Sequence, residues 1–352
     1  MKPRRSSAVR ASSVAVALSA ALTLASCSSG PAHNAARTTT TAARSTTSPT
    51  AGTSTTGAAS TTAPAAGAGF CGFLQTSQAH YSHVVWIWME NHPFQSVIGS
   101  PSAPFENQVA AQCGLATNYH NVTHPSLPNY IAATSGLGRS ELGRFSSDCD
   151  PSPSCTASPG TASIFSQAPS WRAYEESMPA PCTKGSSDDY AARHNPPVYY
   201  PSLAPACGSD DVAIGNLYHD LSAGTLPAFA FVTPNLIDDT HNGSVADGDN
   251  WLRTAIHAIT TSQQYRSGTV AVFVVWDEGE GGSVSDCATN TTDVGCHVPA
   301  LVLSASTRPG TANGGLFNHY SLLRTAEDLL GLPALGQAAS ASSMAPAFGL
   351  SG

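Results

Sequence analysis

Acidic and amide side chains follow three apolar runs of the sequence, at the point where each run ends. These polar clusters are Glu90-Asn91, Asp238-Asp239 with His241, and Asp277-Glu278. Several carboxylates without Lys or Arg neighbours repel one another, and burying them unpaired is costly. A divalent cation would resolve this conflict, and oxygen ligands together with a histidine suit Mg²⁺, Ca²⁺, Mn²⁺ or Zn²⁺. The pattern predicts a divalent metal site without identifying the metal.

A structural alternative exists for each cluster, because Asp and Asn commonly end strands as turn residues or helix caps. Taken singly, each cluster favours that alternative. Three such clusters occur here in a chain with only 11% charged residues. Their repetition at three apolar run ends favours a site over three separate turns.

The densest polar stretch, residues 121–130, contains a candidate nucleophile. Ser126 lies just before Pro128, which suits the first turn of a helix, and helix N-termini stabilise anions. A serine hydroxyl that also contacts a cation could attack phosphorus. Asn129 could then donate a hydrogen bond to a phosphoryl oxygen. Thr123 is the alternative nucleophile, and an ordinary N-cap is the structural alternative for Ser126.

The surrounding sequence predicts a parallel α/β sheet whose strands and helices would position these residues. Residues 83–89, 228–232 and 269–276 are near-continuous apolar runs of buried-strand length. Helical segments are predicted at residues 103–112, 128–134, 249–264 and 320–330. Strands that alternate with helices indicate one doubly wound, mostly parallel sheet with helices on both faces. Ligands bind at the carboxyl ends of such strands, so the acidic clusters should meet there.

Charge is distributed unevenly along the 352 residues, whose formal net charge is −8. Residues 1–70 contain six basic residues and no acid, so the remainder carries 9 basic and 23 acidic residues. Such an acidic domain repels nucleic acid and anionic membranes. We therefore expect no nucleic-acid partner, and membrane contact only through an N-terminal anchor.

The N-terminus is predicted to be an export signal rather than part of the fold. Residues 1–10 are basic and residues 11–25 are apolar, as in a signal peptide. The segment that ends at Cys27 resembles a bacterial lipobox, which implies lipidation of Cys27; plain secretion is the alternative. Residues 28–69, rich in Ala, Thr, Ser and Pro, form a predicted disordered tether before a domain at 70–352. The protein is thus expected to be exported, and either anchored by its lipid on the outer face of the cell membrane or secreted.

Eight further cysteines favour disulfides over a metal site in an exported chain, and no Cys-x-x-Cys pair is present. Sequence alone does not fix their connectivity. Short-range closure favours Cys149–Cys155 and Cys287–Cys296, followed by Cys182–Cys207, which leaves Cys71–Cys113.

Six motifs occur in an order that resembles a known family. They are the segments 84–99, 123–130, 190–196, 234–252, 276–279 and 318–324. This pattern resembles the bacterial phosphoesterase family of secreted acid phosphatases and phospholipases C, which has the alkaline-phosphatase-like fold. The closest likeness is to short actinobacterial secreted acid phosphatases, some of them described as phosphoinositide phosphatases. The likeness covers residues 80–335.

The resemblance implies a role for each matching residue. Metal ligands would be Glu90, Asn91, Asp277 and Glu278; Ser126 would be the nucleophile; His194 and His241 would contact phosphate or the leaving group; and Asn129, Thr123 and His319 would bind substrate. Pro197 stands where the family often has an aromatic residue, which puts the leaving-group pocket in doubt. His92 stands where the family often has Lys or Arg.

These observations together predict a metal-dependent acid phosphatase that hydrolyses phosphomonoesters through a phosphoseryl intermediate. The substrate would be a small-molecule or lipid-headgroup phosphate ester, including phosphoinositides, and oligomeric state is not predicted. An imidazole with a pKa of about 6.5 as the proton donor would give an acidic optimum. A phospholipase C and a non-catalytic, cation-binding surface lipoprotein are the alternatives. A sulfatase is not supported, because the chain has no Cys-x-Pro-x-Arg segment.

Overall fold

The computed structural model describes residues 69–281, 286–290 and 292–350. The predicted signal peptide, Cys27 and the tether up to residue 68 therefore lie outside the described residues. Ten strands are present among these described residues: β1 His83–Met89, β2 Gly114–Ala116, β3 Tyr119–His120, β4 Trp171–Glu175, β5 Asp211–Ala213, β6 Phe229–Thr233, β7 Val270–Trp276, β8 Ala300–Ser304, β9 Thr311–Asn313 and β10 Phe317–Asn318.

Ten α-helices accompany these strands within the described part of the chain. They are α1 Phe94–Val97, α2 Pro104–Gln112, α3 Ser126–Ser135, α4 Arg139–Leu142, α5 Ile164–Gln167, α6 Ala204–Asp210, α7 Gly215–Ala223, α8 Val245–Thr261, α9 Gln263–Arg266 and α10 His319–Leu330. In that same part, no helix combines the length and the apolar character that a membrane crossing requires.

Eight strands form the central sheet in the order β5-β4-β6-β1-β7-β8-β2-β9. β1 lies in the middle and pairs in parallel with β6 and β7. β8 runs antiparallel to both of its neighbours, β7 and β2. The sheet is thus mostly parallel, as predicted, with one reversed strand that the sequence pattern did not indicate.

The three predicted apolar strands correspond to β1, β6 and β7, with bounds within one residue of the prediction. Every residue of β6 and β7 is buried, as is every residue of β1 after His83, so both faces of the sheet are covered at these strands. Trp86 and Trp88 of β1 are fully buried; Trp86 packs edge-on against Phe229, and Trp88 stacks on Phe231. This aromatic layer fixes the carboxyl ends of β1 and β6 relative to each other.

Strand register brings the acidic clusters together. Met89 pairs with Trp276, so the next residues, Glu90 and Asp277, leave the sheet side by side. The Asp277 N–H donates to the Met89 carbonyl at 3.0 Å, and the Glu90 N–H donates to the Asp239 carbonyl at 2.8 Å. The predicted convergence at the carboxyl edge of the sheet is therefore present.

All four favoured cysteine pairings occur in the structure. The disulfides are Cys71–Cys113, Cys149–Cys155, Cys182–Cys207 and Cys287–Cys296. In sequence, the Cys182–Cys207 disulfide spans the segment that carries His194. The prediction of disulfides over a cysteine metal site is confirmed.

Candidate active site

Four of the buried carboxylates at the carboxyl edge of the sheet lie close together. Glu90, Asp239 and Asp277 are fully buried, and Glu278 is 9% exposed. Burial, followed by the charges of Asp277 and Asp239, raises the pKa of Glu90; burial and then Glu278 raise the pKa of Asp277. Among the described residues, Asp277 Oδ2 has no hydrogen-bond partner. An orphaned oxygen within a repelling cluster fits a site built for a cation.

His194 forms a compact group of possible metal ligands with Glu90 and Asp239. Its Nδ1 lies 3.2 Å from Asp239 Oδ2, and its Nε2 lies 3.2 Å from Glu90 Oε1. Donor atoms of these three residues all lie within 4.8 Å of one another. Burial, and then the charges of Arg193 and His241, lower the pKa of His194. A neutral imidazole with an available lone pair is the form that ligates metals.

Asn91 and Glu278 lie at the border of this cluster. The Asn91 N–H donates to Asp277 Oδ1 at 3.2 Å, and Asn91 has a φ of 54°, a left-handed conformation that asparagine tolerates well. Glu278 Oε2 lies 2.5 Å from His124 Nδ1. The four predicted metal ligands are therefore neighbours, and Asp239 and His194 join them.

Ser126 is the first residue of α3 and points its hydroxyl at the cluster. Its Oγ donates to Glu90 Oε2 at 3.2 Å and lies 3.5 Å from Glu278 Oε1. Tyr130, one turn later, donates its phenol hydrogen to Glu90 Oε1. Sequence reasoning missed Tyr130, although its spacing of four residues from Ser126 puts both on one helix face.

Asn129 does not have the role that the sequence predicted. Its Oδ1 accepts from the Val122 and Thr123 N–H groups at 2.9 and 3.0 Å. Its Nδ2 donates to the carbonyls of Thr123 and Pro125 at 2.8 and 3.1 Å. Because the amide is fully engaged and buried, Asn129 holds the turn before the nucleophile helix and leaves no donor for a phosphoryl oxygen. Thr123 lies within that turn, and its hydroxyl donates to the His124 carbonyl at 3.3 Å.

His319 is likewise engaged by protein groups on both ring nitrogens. Nε2 lies 2.7 Å from the Asp277 carbonyl and Nδ1 lies 2.9 Å from the Tyr119 hydroxyl. Burial lowers the pKa of His319 to about 4, so the ring is neutral and donates through Nε2. The predicted contact with substrate is not what this placement provides. His319 instead supports the backbone of Asp277.

Two basic side chains, Arg193 and His241, form a rim beside the acidic cluster. Arg193 Nη2 lies 3.1 Å from His241 Nε2, and His241 Nδ1 lies 2.9 Å from Asn242 Oδ1. With Nδ1 as donor to the amide oxygen, Nε2 accepts from the guanidinium; this tautomer is assigned from the bonding pattern. The His241 N–H also donates to Asp239 Oδ1 at 2.7 Å, which links the rim to the acidic cluster. Arg193 was missed as a site residue, although it directly precedes His194.

Comparison with known proteins places this geometry in a family. The model of the Phosphoesterase family matches residues 100–333, more than half of the chain. A phosphatidylinositol-3-phosphatase of Mycobacterium tuberculosis is 29% identical, over 79% of this chain and 86% of its own. A phosphate-repressible acid phosphatase of Penicillium chrysogenum is 28% identical over 73% of this chain. The match spans only 61% of that fungal protein's length.

Solved structures agree with the observed topology. A protein of the alkaline phosphatase superfamily from Vibrio parahaemolyticus superposes with a TM-score of 0.51 at 15% identity, over 76% of this chain and 71% of its own. This likeness confirms the predicted alkaline-phosphatase-like fold. The chain therefore belongs to the Phosphoesterase family.

Proposed function

We propose that this protein is a metal-dependent acid phosphatase that hydrolyses phosphomonoesters with Ser126 as the nucleophile. The observation that carries the proposal is the contact of Ser126 Oγ with Glu90 and Glu278, two members of a buried carboxylate cluster. Membership of the family supports hydrolysis of phosphate esters, and the relatives named acid phosphatases support the monoester class.

The buried cluster fits a divalent cation. Candidate ligands are Glu90, Asn91, His194, Asp239, Asp277 and Glu278. Such an ion would relieve the repulsion among the carboxylates. The Asp277 oxygen that has no hydrogen-bond partner among the described residues and the neutral His194 imidazole are donors of the kind that the ion prefers. When bound, the ion would polarise the phosphoryl group and favour the alkoxide form of the serine.

The chain's own residues suggest how the proton and the leaving group move. Ser126 Oγ attacks phosphorus and passes its proton to Glu90, which already accepts its hydrogen bond. The new Ser126–phosphorus bond forms as the bond to the leaving oxygen breaks, and His241, in its form with a proton on Nε2 in place of the Arg193 contact, protonates that oxygen. Water then loses a proton to the deprotonated His241 and attacks phosphorus, the phosphorus–Ser126 bond breaks, and Glu90 returns its proton to the serine oxygen. His241 fits the donor role better than His194, because His194 is buried and its pKa is lowered.

Turnover of p-nitrophenyl phosphate by Ser126→Ala tests the nucleophile. We expect a loss of about 10³-fold or more in kcat, and no phosphoserine after acid quenching. Thr123→Ala tests the alternative nucleophile, and Ser135→Ala, on the same helix, is the matched control. Full activity in Ser126→Ala, or phosphate trapped on Thr123, would remove Ser126 from the mechanism.

The substrate class is proposed to include phosphomonoesters on lipid head groups. The mycobacterial relative, named for a phosphoinositide substrate, supports this class. A panel of soluble monoesters, phosphatidylinositol 3-phosphate and phosphatidylcholine separates the possibilities. Turnover of phosphatidylcholine without turnover of monoesters would replace the phosphatase by a phospholipase C.

We also propose export, with a lipid anchor on Cys27 and a tether that ends at residue 69. This rests on the basic and apolar N-terminal sequence and the small residues before Cys27. In a bacterial host, wild type should incorporate labelled palmitate into the membrane fraction, whereas Cys27→Ala should not. Equal labelling of both proteins would exclude lipidation at this position.

A further inference from the structure

A carboxylate from a distant segment occupies the start of the nucleophile helix. Asp148 Oδ1 accepts a hydrogen bond from the Leu127 N–H at 2.8 Å, across 21 residues of sequence. In the described structure, α3 has no side-chain cap from its own N-cap residue, Pro125. Asp148 therefore satisfies an N–H group beside Ser126 that would otherwise face an incoming anion.

The position of Asp148 is fixed from both sides. Its own N–H donates to the carbonyl of buried Phe145 at 3.3 Å. The next residue, Cys149, is held by the disulfide to Cys155 and by the Tyr199 hydroxyl, which donates to its carbonyl at 2.8 Å. With a backbone anchored in this way, the carboxylate cannot move far from the serine when substrate arrives.

The carboxylate of Asp148 also interacts electrostatically with charged groups near Ser126. Burial raises the pKa of Asp148, whereas the Leu127 N–H and the charges of Arg193 and His241 favour its ionised form, and the charge of Asp148 acts in turn on Glu278. The side chain is only partly buried, so it can be reached from solvent. Its negative charge is therefore within electrostatic range of Arg193, His241 and Glu278, beside the residue that follows Ser126.

We propose that Asp148 determines charge specificity: its fixed carboxylate makes the site favour singly charged over doubly charged phosphoryl groups. The proposal rests on the proposed function, with Ser126 as nucleophile. Coulomb energy is proportional to ligand charge, so the penalty on a dianion should be twice that on a monoanion. A neutral residue at this position should raise kcat/KM for a monoanion by a factor, and for a dianion by about the square of that factor.

The test compares two substrates at pH 7.5 in low salt: p-nitrophenyl phosphate as dianion and bis(p-nitrophenyl) phosphate as monoanion. Asp148→Asn keeps an acceptor oxygen for the Leu127 N–H and removes the charge. We expect roughly tenfold higher kcat/KM for the dianion and about threefold for the monoanion. Asp148→Ser, also neutral and able to cap the helix, should behave alike if the asparagine variant folds poorly.

Asp210→Asn is the matched control, because it removes the same charge at the residue before β5, at the opposite edge of the sheet. It should change neither value. If the neutral variants change kcat/KM by the same factor for both substrates, or lower kcat/KM for both, the charge role of Asp148 would be overturned. Wild type that does not hydrolyse p-nitrophenyl phosphate would instead refute the proposed function, so the two failures are distinguishable.

Discussion

Replacement of Glu106 by glutamine should remove a large part of the pH dependence of stability. Glu106 lies in the first turn of α2 and is 1% exposed. Neither of its carboxylate oxygens has a hydrogen-bond partner among the described residues. Burial, and then the charge of Asp249, raise its pKa from the ordinary 4.5 to about 8. The folded state thus binds a proton that the unfolded chain releases between these values.

The sign and size of the effect follow from linkage. A raised folded pKa means that the contribution of Glu106 to stability is complete below pH 4.5 and is lost as the pH rises through 8. Between pH 5 and pH 7, ionisation of this group should lower the free energy of unfolding by about 2–3 kcal/mol. Glutamine at position 106 does not ionise and should show no such loss.

Urea unfolding at pH 5 and pH 7 measures this difference for wild type and Glu106→Gln. Because other buried acids also titrate, the informative quantity is the change in the pH dependence between the two proteins. Glu141→Gln, the same substitution at an exposed position, should retain the wild-type dependence. Identical pH dependence in wild type and Glu106→Gln would refute the assignment of a raised pKa to Glu106.

Three further substitutions test residues that hold the site in place through hydrogen bonds. Tyr130→Phe leaves Glu90 Oε1 without its phenol donor and should lower kcat roughly tenfold in p-nitrophenyl phosphate assays; an unchanged kcat would contradict this. His319→Gln weakens the hold on the Asp277 carbonyl and should raise the metal concentration for half-maximal activity by about 10–100-fold, as a metal titration would show, whereas an unaltered titration would remove this supporting role. Asn129→Asp replaces the two hydrogen bonds that Nδ2 donates to backbone carbonyls by repulsion between oxygens. It should lower the free energy of unfolding, measured with urea, by about 2–4 kcal/mol, and an unchanged free energy of unfolding would contradict this.

Much of the fold could be predicted because the central strands are apolar on both faces. The runs that became β1, β6 and β7 carry this pattern without interruption, and polar residues mark their ends. β4 was missed because Arg172 and Glu175 interrupt its apolar pattern. The apolar run of β8 could be recognised, but such a run carries no information about direction, so its antiparallel pairing emerged only from the structure.

The site was predictable where it depends on strand ends and unpredictable where it depends on contacts between distant segments. Glu90 and Asp277 meet because parallel strands end at one edge, a general rule of α/β sheets. The capping of α3 by Asp148 depends instead on the path of a disulfide-closed loop, which no local pattern encodes. The amide of Asn129 looked available in the sequence, and only the fold of its turn showed that backbone groups occupy it.

The central claim is that a divalent cation in the buried carboxylate cluster activates Ser126. The most direct measurement is a Mn²⁺ titration of chelator-treated enzyme in which bound metal and p-nitrophenyl phosphate turnover are recorded on the same samples. We expect no turnover before Mn²⁺ is added and recovery of turnover in proportion to bound metal, with neither binding nor recovery in Asp277→Asn. Full, Ser126-dependent turnover by wild type with no bound metal would contradict it.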